Sequence, residues 1–434
     1  MAGGAISSST YTSSKDTGAK PGSYLFPFIL VTSLFFLWAL IHNLSPVLIP
    51  HLKKACQLTD LQSSLIDSAV FAAYFLMALP AGAVMRKFGY KTGIIFGLCL
   101  YAIGAFLFIP AANSREYIAF LGALFVIASG LTFMETAANP YVTILGAPET
   151  ATTRLNLAQS FNGIGAVLGP VLGAKFILSG TELTKAQMDA MSPAQMQQYL
   201  SAEAGTVKVP YIIIGLVVLF IALLFVFTRM PDVQEAEDKS IDTSKSNGSI
   251  FRHKHLIAAV VAQFFYIGAQ VGVNAFFIRF ARFSAGIPEK EAANLLGAVA
   301  GLGFMIGRFF GTFLMSRVKP QLLLTIYGII NVALILIAMV TKGYVAIGAV
   351  LLVPFFMSIM FPTIFSLGIR GLGKDTKFGS SLLIMSIVGG AVCPPLMGLI
   401  SDASNIQMAY VIPLICFAVV VWFGAKGYKL DAAS

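Results

Sequence analysis

Apolar runs of roughly 20 residues recur along almost the whole chain, and that recurrence decides its solvent before anything else is known. A helix needs about 20 such residues to cross the hydrocarbon of a bilayer. The runs predict twelve helices. The first six are Leu25–Pro50, Ser63–Met85, Thr92–Ala112, Tyr117–Leu145, Leu155–Leu178 and Val209–Thr228. The second six are Leu256–Phe280, Ala292–Met315, Leu322–Val340, Tyr344–Ile369, Phe378–Ile400 and Met408–Phe423. Only 11% of the residues are charged, against about 25% in a soluble chain. So few charges cannot cover a water-facing surface, and lipid is left as the main solvent. Helices then follow from the bilayer, because each backbone N–H and C=O must be paired within its own segment. The expected class is an all-α membrane protein of twelve transmembrane helices.

The two sets of six also repeat in sequence. GAVLGPVLG at Gly165–Gly173 aligns with GAVCPPLMG at Gly390–Gly398, with five identities in nine. Thr136, Leu145 and Gly146 align with Thr363, Leu372 and Gly373, and Ala69, Val70, Phe75 and Gly82 align with Ala298, Val299, Phe304 and Gly311. The offsets stay between 225 and 229. Two pseudo-symmetric six-helix bundles in parallel repeat, joined by a polar linker, describe the major-facilitator architecture. The division expected is a polar tail over 1–24, a first bundle over 25–228, a linker over 229–255, a second bundle over 256–428 and a short tail over 429–434. Ser179–Lys208 is a long loop, and its MDAMSPAQMQQYL stretch predicts a short surface helix.

Loop charge sets the orientation. Arg86, Lys87, Lys91, Arg154, Arg317, Lys319, Arg370, Lys374 and Lys377 fall in loops on the side of the linker, which is itself basic. That bias places both termini in the cytoplasm, in a multi-pass protein of the cell inner membrane. The net charge of +10 is scattered through short loops, so it does not suggest nucleic acid as a partner. Cys99, Cys393 and Cys416 lie inside apolar runs and Cys56 in a loop, which gives neither a disulfide framework nor metal-ligand spacing. The Ser/Thr/Gly-rich start lacks the pattern of a signal peptide. No catalytic motif is visible, so neither an enzyme nor a cofactor is expected, and a monomer is the expected state.

Two acidic residues fall inside apolar spans, Glu135 and Asp67. A carboxylate at membrane depth costs a few kcal/mol, so it faces a cavity and marks function more often than structure. Glu135 sits within FMETAANPYV, with Asn139 four residues on and on the same face. Burial disfavours a charged carboxylate, so such a group can exchange a proton near neutral pH. The structural alternative is a clamp between two helices. Asp67 lies in SSLIDSAVF amid Ser63, Ser64 and Ser68. It is either part of a sodium site, since hard cations take oxygen ligands, or a wet helix-end residue paired with a loop lysine. His42 follows FFLWAL and either titrates or hydrogen-bonds between helices.

Amides form two stripes. Asn156, Gln159 and Asn162 share a face of helix five; Gln263, Tyr266, Gln270 and Asn274 share a face of helix seven. Amides both donate and accept, as sugar hydroxyls require; the bland reading is interhelical glue at about 0.6 kcal/mol per bond. Trp38, Tyr266 or Phe361 could stack on a sugar ring. Arg308, in GRFFGT, reads as a structural anchor.

With these motifs assembled, the chain resembles the L-fucose:proton symporter family, which includes glucose/galactose and N-acetylglucosamine transporters. The resemblance rests on FFLWA, ETAANP, RLNLAQSFN, GAQ at Gly268–Gln270, GRFFGT, PTIFSLGIRGLGKDTKFGSS and MGLISDA, and runs from about Tyr24 to Tyr428. It implies cation-coupled sugar symport, with proton or sodium co-transported. It implies coupling for Glu135 and cavity roles for Asn43, Gln159, Asn162 and Gln270. One departure stands out: Pro46 occupies the place of the helix-one aspartate found in the family's fucose carriers, while Asp67 has appeared in helix two. A uniporter or a metabolite exporter of the same fold are the alternatives.

Overall fold

In the computed structural model, residues 25–42, 48, 52, 55–58, 60–176, 190–228, 230 and 250–430 are described; side chains at 25, 41–42, 60–68, 166–167, 169–171, 173–176, 251 and 289–290 are not. His42 and Asp67 are therefore placed by their helices alone. Asn43 and Pro46 lie outside the described residues.

The helices follow the apolar runs. They are α1 (Leu25–His42), α2 (60–88), α3 (90–114), α4 (Tyr117–Ile144), α5 (Ala151–Phe176) and α6 (Lys208–Phe227). The second set is α7 (Lys254–Ala285), α8 (Glu291–Leu314), α9 (Pro320–Val340), α10 (Gly343–Gly368), α11 (Gly373–Ala403) and α12 (Met408–Gly427). By length and composition, nine stretches among the described residues can cross a membrane. One of these, Ala69–Ser114, is two helices bent at Gly89, whose φ of 83° and ψ of 170° suit glycine alone. The others of the twelve are α1, described only to His42, and α5, whose amides lower its hydropathy. The expected surface helix is present at Pro193–Gly205, where Ser192 and Gln195 form a reciprocal capping box.

Helices alternate in direction, so the turns 2–3, 4–5, 8–9 and 10–11 share one end of the bundle with the close of α6 and the start of α7. This is the linker end; the other is the distal end. Its basic residues close helices as well as face water. Lys91 donates to the Val226 and Thr228 carbonyls at 2.9 and 3.0 Å, and Arg154 donates to the Thr143 and Ala147 carbonyls at 2.6 and 2.7 Å. Each satisfies carbonyls that a helix C-terminus leaves orphaned.

The repeat in the sequence returns as a repeat in packing. A Cβ at Gly165 of α5 would lie 2.5 Å from the Phe36 carbonyl oxygen of α1, and one at Gly389 of α11 would lie 2.1 Å from the Phe264 carbonyl oxygen of α7. The fifth helix of each half therefore rests backbone-to-backbone on the first, where only a missing side chain permits the approach.

Contacts between the halves gather from the linker end to mid-height. Ser380 donates to the Thr136 carbonyl at 2.8 Å, the Thr152 and Ser366 hydroxyls pair at 2.9 Å, and Asn156 donates to Thr363 at 3.2 Å. Arg86 lies 5.9 Å from the Phe378 ring centroid and Lys377 5.1 Å from that of Tyr90, both across the halves. α2 and α3 together pack mainly on the first part of α11, Thr376–Met385, and little on Gly389–Ala403. The linker end is closed.

Candidate solute site between the halves

Glu135 lies two-thirds of the way along α4, toward its C-terminal end, and is 7% exposed. Its carboxylate accepts a hydrogen bond from Tyr74 of α2, and the Tyr74 hydroxyl accepts one from the Trp38 indole Nε1 at 2.7 Å. Three helices thus converge on one carboxylate. Among the described residues the second oxygen, Oε2, has no partner. A carboxylate left half-satisfied inside a membrane domain is costly, and it marks the point where a proton or a donor from a solute is expected.

One turn further on, Asn139 is fully buried and its Oδ1 accepts from Gln159 Nε2 of α5 at 2.7 Å, while its own amide nitrogen has no partner among the described residues. Asn162, one turn beyond Gln159, is half-buried with an unpartnered Oδ1. The carboxylate and three amides form one polar wall on α4 and α5, with a spare carboxylate oxygen, a spare N–H₂ and a spare carbonyl. Unsatisfied donors and acceptors side by side are what a polyhydroxylated solute would complete.

The stripe on α7 does not behave uniformly. Gln263 and Tyr266 are fully buried within the second half, Gln270 is half-buried and Asn274 is exposed. Tyr266 packs edge-on against Phe361, ring centroids 6.5 Å apart. The burial falls steadily toward the distal end, as it must if one helix face packs against the core below and lines an opening above. Gln270 and Asn274 are therefore the members of the stripe left accessible, whereas Tyr266 and Phe361 are packed against each other. Trp38 is half-buried, with its indole already committed to Tyr74.

Two contacts at this site were not legible in the sequence. Tyr74 is one aromatic among many in AVFAAYFLM, and no pattern marks it. Arg308 read as an anchor, which is correct as far as it goes, but the structure adds that it crosses between the halves: it donates to the Gln159 carbonyl at 2.9 Å. Among the described residues, no cluster of His, Cys, Asp or Glu could hold a metal ion.

The arrangement has counterparts among known proteins. Residues 28–377 match the Major Facilitator Superfamily. The chain is 45% identical over 415 residues to the L-fucose-proton symporter of Escherichia coli K12, covering 94% of each. It is 42% identical over 409 residues to a glucose/galactose transporter of Brucella abortus, covering 94% of this chain and 95% of the relative. Among solved structures it is similar to the transporter FucP in the outward conformation, with a TM-score of 0.85, 45% identity and coverage of 93% and 99%.

Proposed function

The chain belongs to the Major Facilitator Superfamily, as a transporter and not an enzyme, and we propose that it takes up a monosaccharide together with a proton by alternating access. The observation that carries this reading is Glu135, a buried carboxylate with one oxygen unpartnered among the described residues, set one turn from a fully buried amide pair. Relatives named for L-fucose-proton symport and for glucose/galactose transport support the sugar and the proton.

In this reading Asn139, Gln159 and Asn162 hold sugar hydroxyls from one half, and Gln270 and Asn274 meet the sugar from the other. Asn43 is a further sugar-binding residue by the family resemblance alone. The linker end faces the cytoplasm, as its basic turns favour, so the closed linker end leaves the site accessible from outside. Sealing a charged carboxylate into a dry chamber costs several kcal/mol. Closure over the sugar therefore proceeds with the proton aboard Glu135, and the sugar-loaded carrier whose carboxylate is still charged stays open; the empty carrier, its chamber holding water in place of sugar, returns to complete the cycle. Tyr74 holds the carboxylate toward the chamber and ties its position to Trp38. The whole site lies within one chain, so a monomer is the working unit. The proton is preferred to sodium, whose case rests on the sequence around Asp67 alone.

Uptake of labelled L-fucose, D-glucose and D-galactose into proteoliposomes tests the proposal. An inward proton gradient is expected to concentrate at least one of them, and a sodium gradient alone to concentrate none. Equilibration without accumulation under either gradient would reduce the protein to a uniporter.

Gln159→Ala removes the donor to Asn139 and an arm of the wall. A hydrogen bond of this kind is worth about 1 kcal/mol, so the half-saturating sugar concentration is expected to rise about five- to tenfold. The number of protons carried per sugar is expected to stay constant. Unchanged affinity would remove Gln159 from the solute wall.

A further inference from the structure

We propose that Arg308 is the pivot bond of the transport cycle: it fastens α8 to α5 at the level of the solute site and stays attached while the linker-end contacts break and re-form. This rests on the alternating-access reading above. Arg308 is 4% exposed. Its Nε donates to the Ser358 carbonyl at 2.7 Å within its own half, and one terminal nitrogen donates to the Gln159 carbonyl at 2.9 Å in the other half. Its guanidinium lies 4.6 Å from the Phe304 ring centroid. Among the described residues no carboxylate is paired with it. A buried cation of this kind is expensive, and a structural tie alone could be made by a neutral side chain.

Three observations favour a pivot over a gate. First, the helices touch closely just distal to the bond on α5: a Cβ at Gly163 would lie 2.6 Å from Met305 Cγ, and the Phe161 and Phe309 ring centroids are 6.4 Å apart. Second, the acceptors are carbonyl oxygens, which accept over a broad range of directions, so a flexible guanidinium can follow a rotation without releasing them. Third, the bond is joined to the solute wall, because Gln159 also holds Asn139 through its side chain. In a rocking motion displacement grows with distance from the axis. The Thr152–Ser366 pair, two turns nearer the linker end on α5, is placed to open, while the Arg308 contact turns in place.

The test compares two cross-links in proteoliposomes, with reagent added to the unsubstituted chain as control. A short bifunctional methanethiosulfonate bridges Phe161→Cys to Phe309→Cys in one variant and Thr152→Cys to Ser366→Cys in the other. Counterflow of L-fucose and D-galactose is expected to survive the first bridge at more than half its rate and to fall at least tenfold with the second. Equal block by both bridges overturns the pivot. In a separate arm Arg308→Met is expected to slow counterflow at least tenfold while the equilibrium Kd for sugar moves less than threefold, and Arg308→Lys to recover part of the rate. Loss of binding in step with rate would instead make Arg308 a solute ligand, and no change in either would leave it a passive anchor; both overturn the proposal. If the unsubstituted protein moves none of the sugars, the transport reading fails on its own. The pivot is then read from maleimide labelling of Ser366→Cys, which must persist with the Phe161–Phe309 bridge in place and whose suppression by that bridge overturns it.

Discussion

Glu135→Gln is expected to abolish accumulation of sugar against its gradient while sugar-for-sugar exchange continues. Glutamine has the size of a protonated glutamate and can still accept from Tyr74, so the convergence of α1, α2 and α4 on this position survives. It can no longer take up or release a proton. A gradient of one pH unit supplies about 1.4 kcal/mol per proton, equivalent to about tenfold accumulation for each proton carried. The substituted carrier should bring internal and external sugar only to equality under that gradient. Exchange needs no net movement of the empty carrier, and a permanently neutral site lets the loaded form close, so counterflow should stay within about threefold of its original rate. The measurement is the steady-state ratio of labelled sugar across the liposome membrane, with counterflow measured in parallel. Undiminished accumulation would take the proton away from Glu135 and return attention to His42 and Asp67.

Much of the fold was legible because lipid imposes few options. An apolar run of sufficient length can only be a helix, and the spacing of GAVLGPVLG and GAVCPPLMG reported two halves that the packing of Gly165 on Phe36 and Gly389 on Phe264 repeats in space. Glu135 was legible for the same reason, since a carboxylate in oil needs a cause. Asn139 and Gln159 followed from helical spacing, although their mutual hydrogen bond did not. What the sequence withheld is whatever depends on how a helix is turned about its axis. Tyr74 is chosen over its aromatic neighbours by the rotation of α2 against α4. Tyr266 and Asn274 share a face of α7, yet one is sealed and the other open, because burial there is set by what packs on the helix at each height, as Phe361 does on Tyr266. Arg308 could be recognised as an anchor from its cost alone; its acceptor, a carbonyl of the opposite half, belongs to tertiary structure and leaves no trace in residue type.

Cutting the polar ties at the linker end should shift the resting equilibrium toward opening on that side by about 20-fold. Ser380→Ala removes the bond to the Thr136 carbonyl, Ser366→Ala the bond to Thr152, and Thr363→Val the acceptor of Asn156. Interhelical hydrogen bonds in membrane proteins average about 0.6 kcal/mol, so the three together are worth about 1.8 kcal/mol, or about 20-fold in an equilibrium constant. Each replacement keeps the size and branching of its site, and Asn156 retains its bond to the Thr152 carbonyl, so the helices themselves should be undisturbed. Spin labels at Glu149→Cys and Lys374→Cys, on the exposed 4–5 and 10–11 turns, report the separation by pulsed electron resonance. The triple variant should populate a longer distance that the parent rarely visits. The solute site should then spend more time facing the linker side, so sugar supplied from the distal side should bind more weakly by up to the same factor, since the competent state is depleted. A distance distribution identical to the parent's would assign closure to the apolar packing of α4 and α5 against α10 and α11. The hydroxyls would then act only to keep buried backbone carbonyls satisfied.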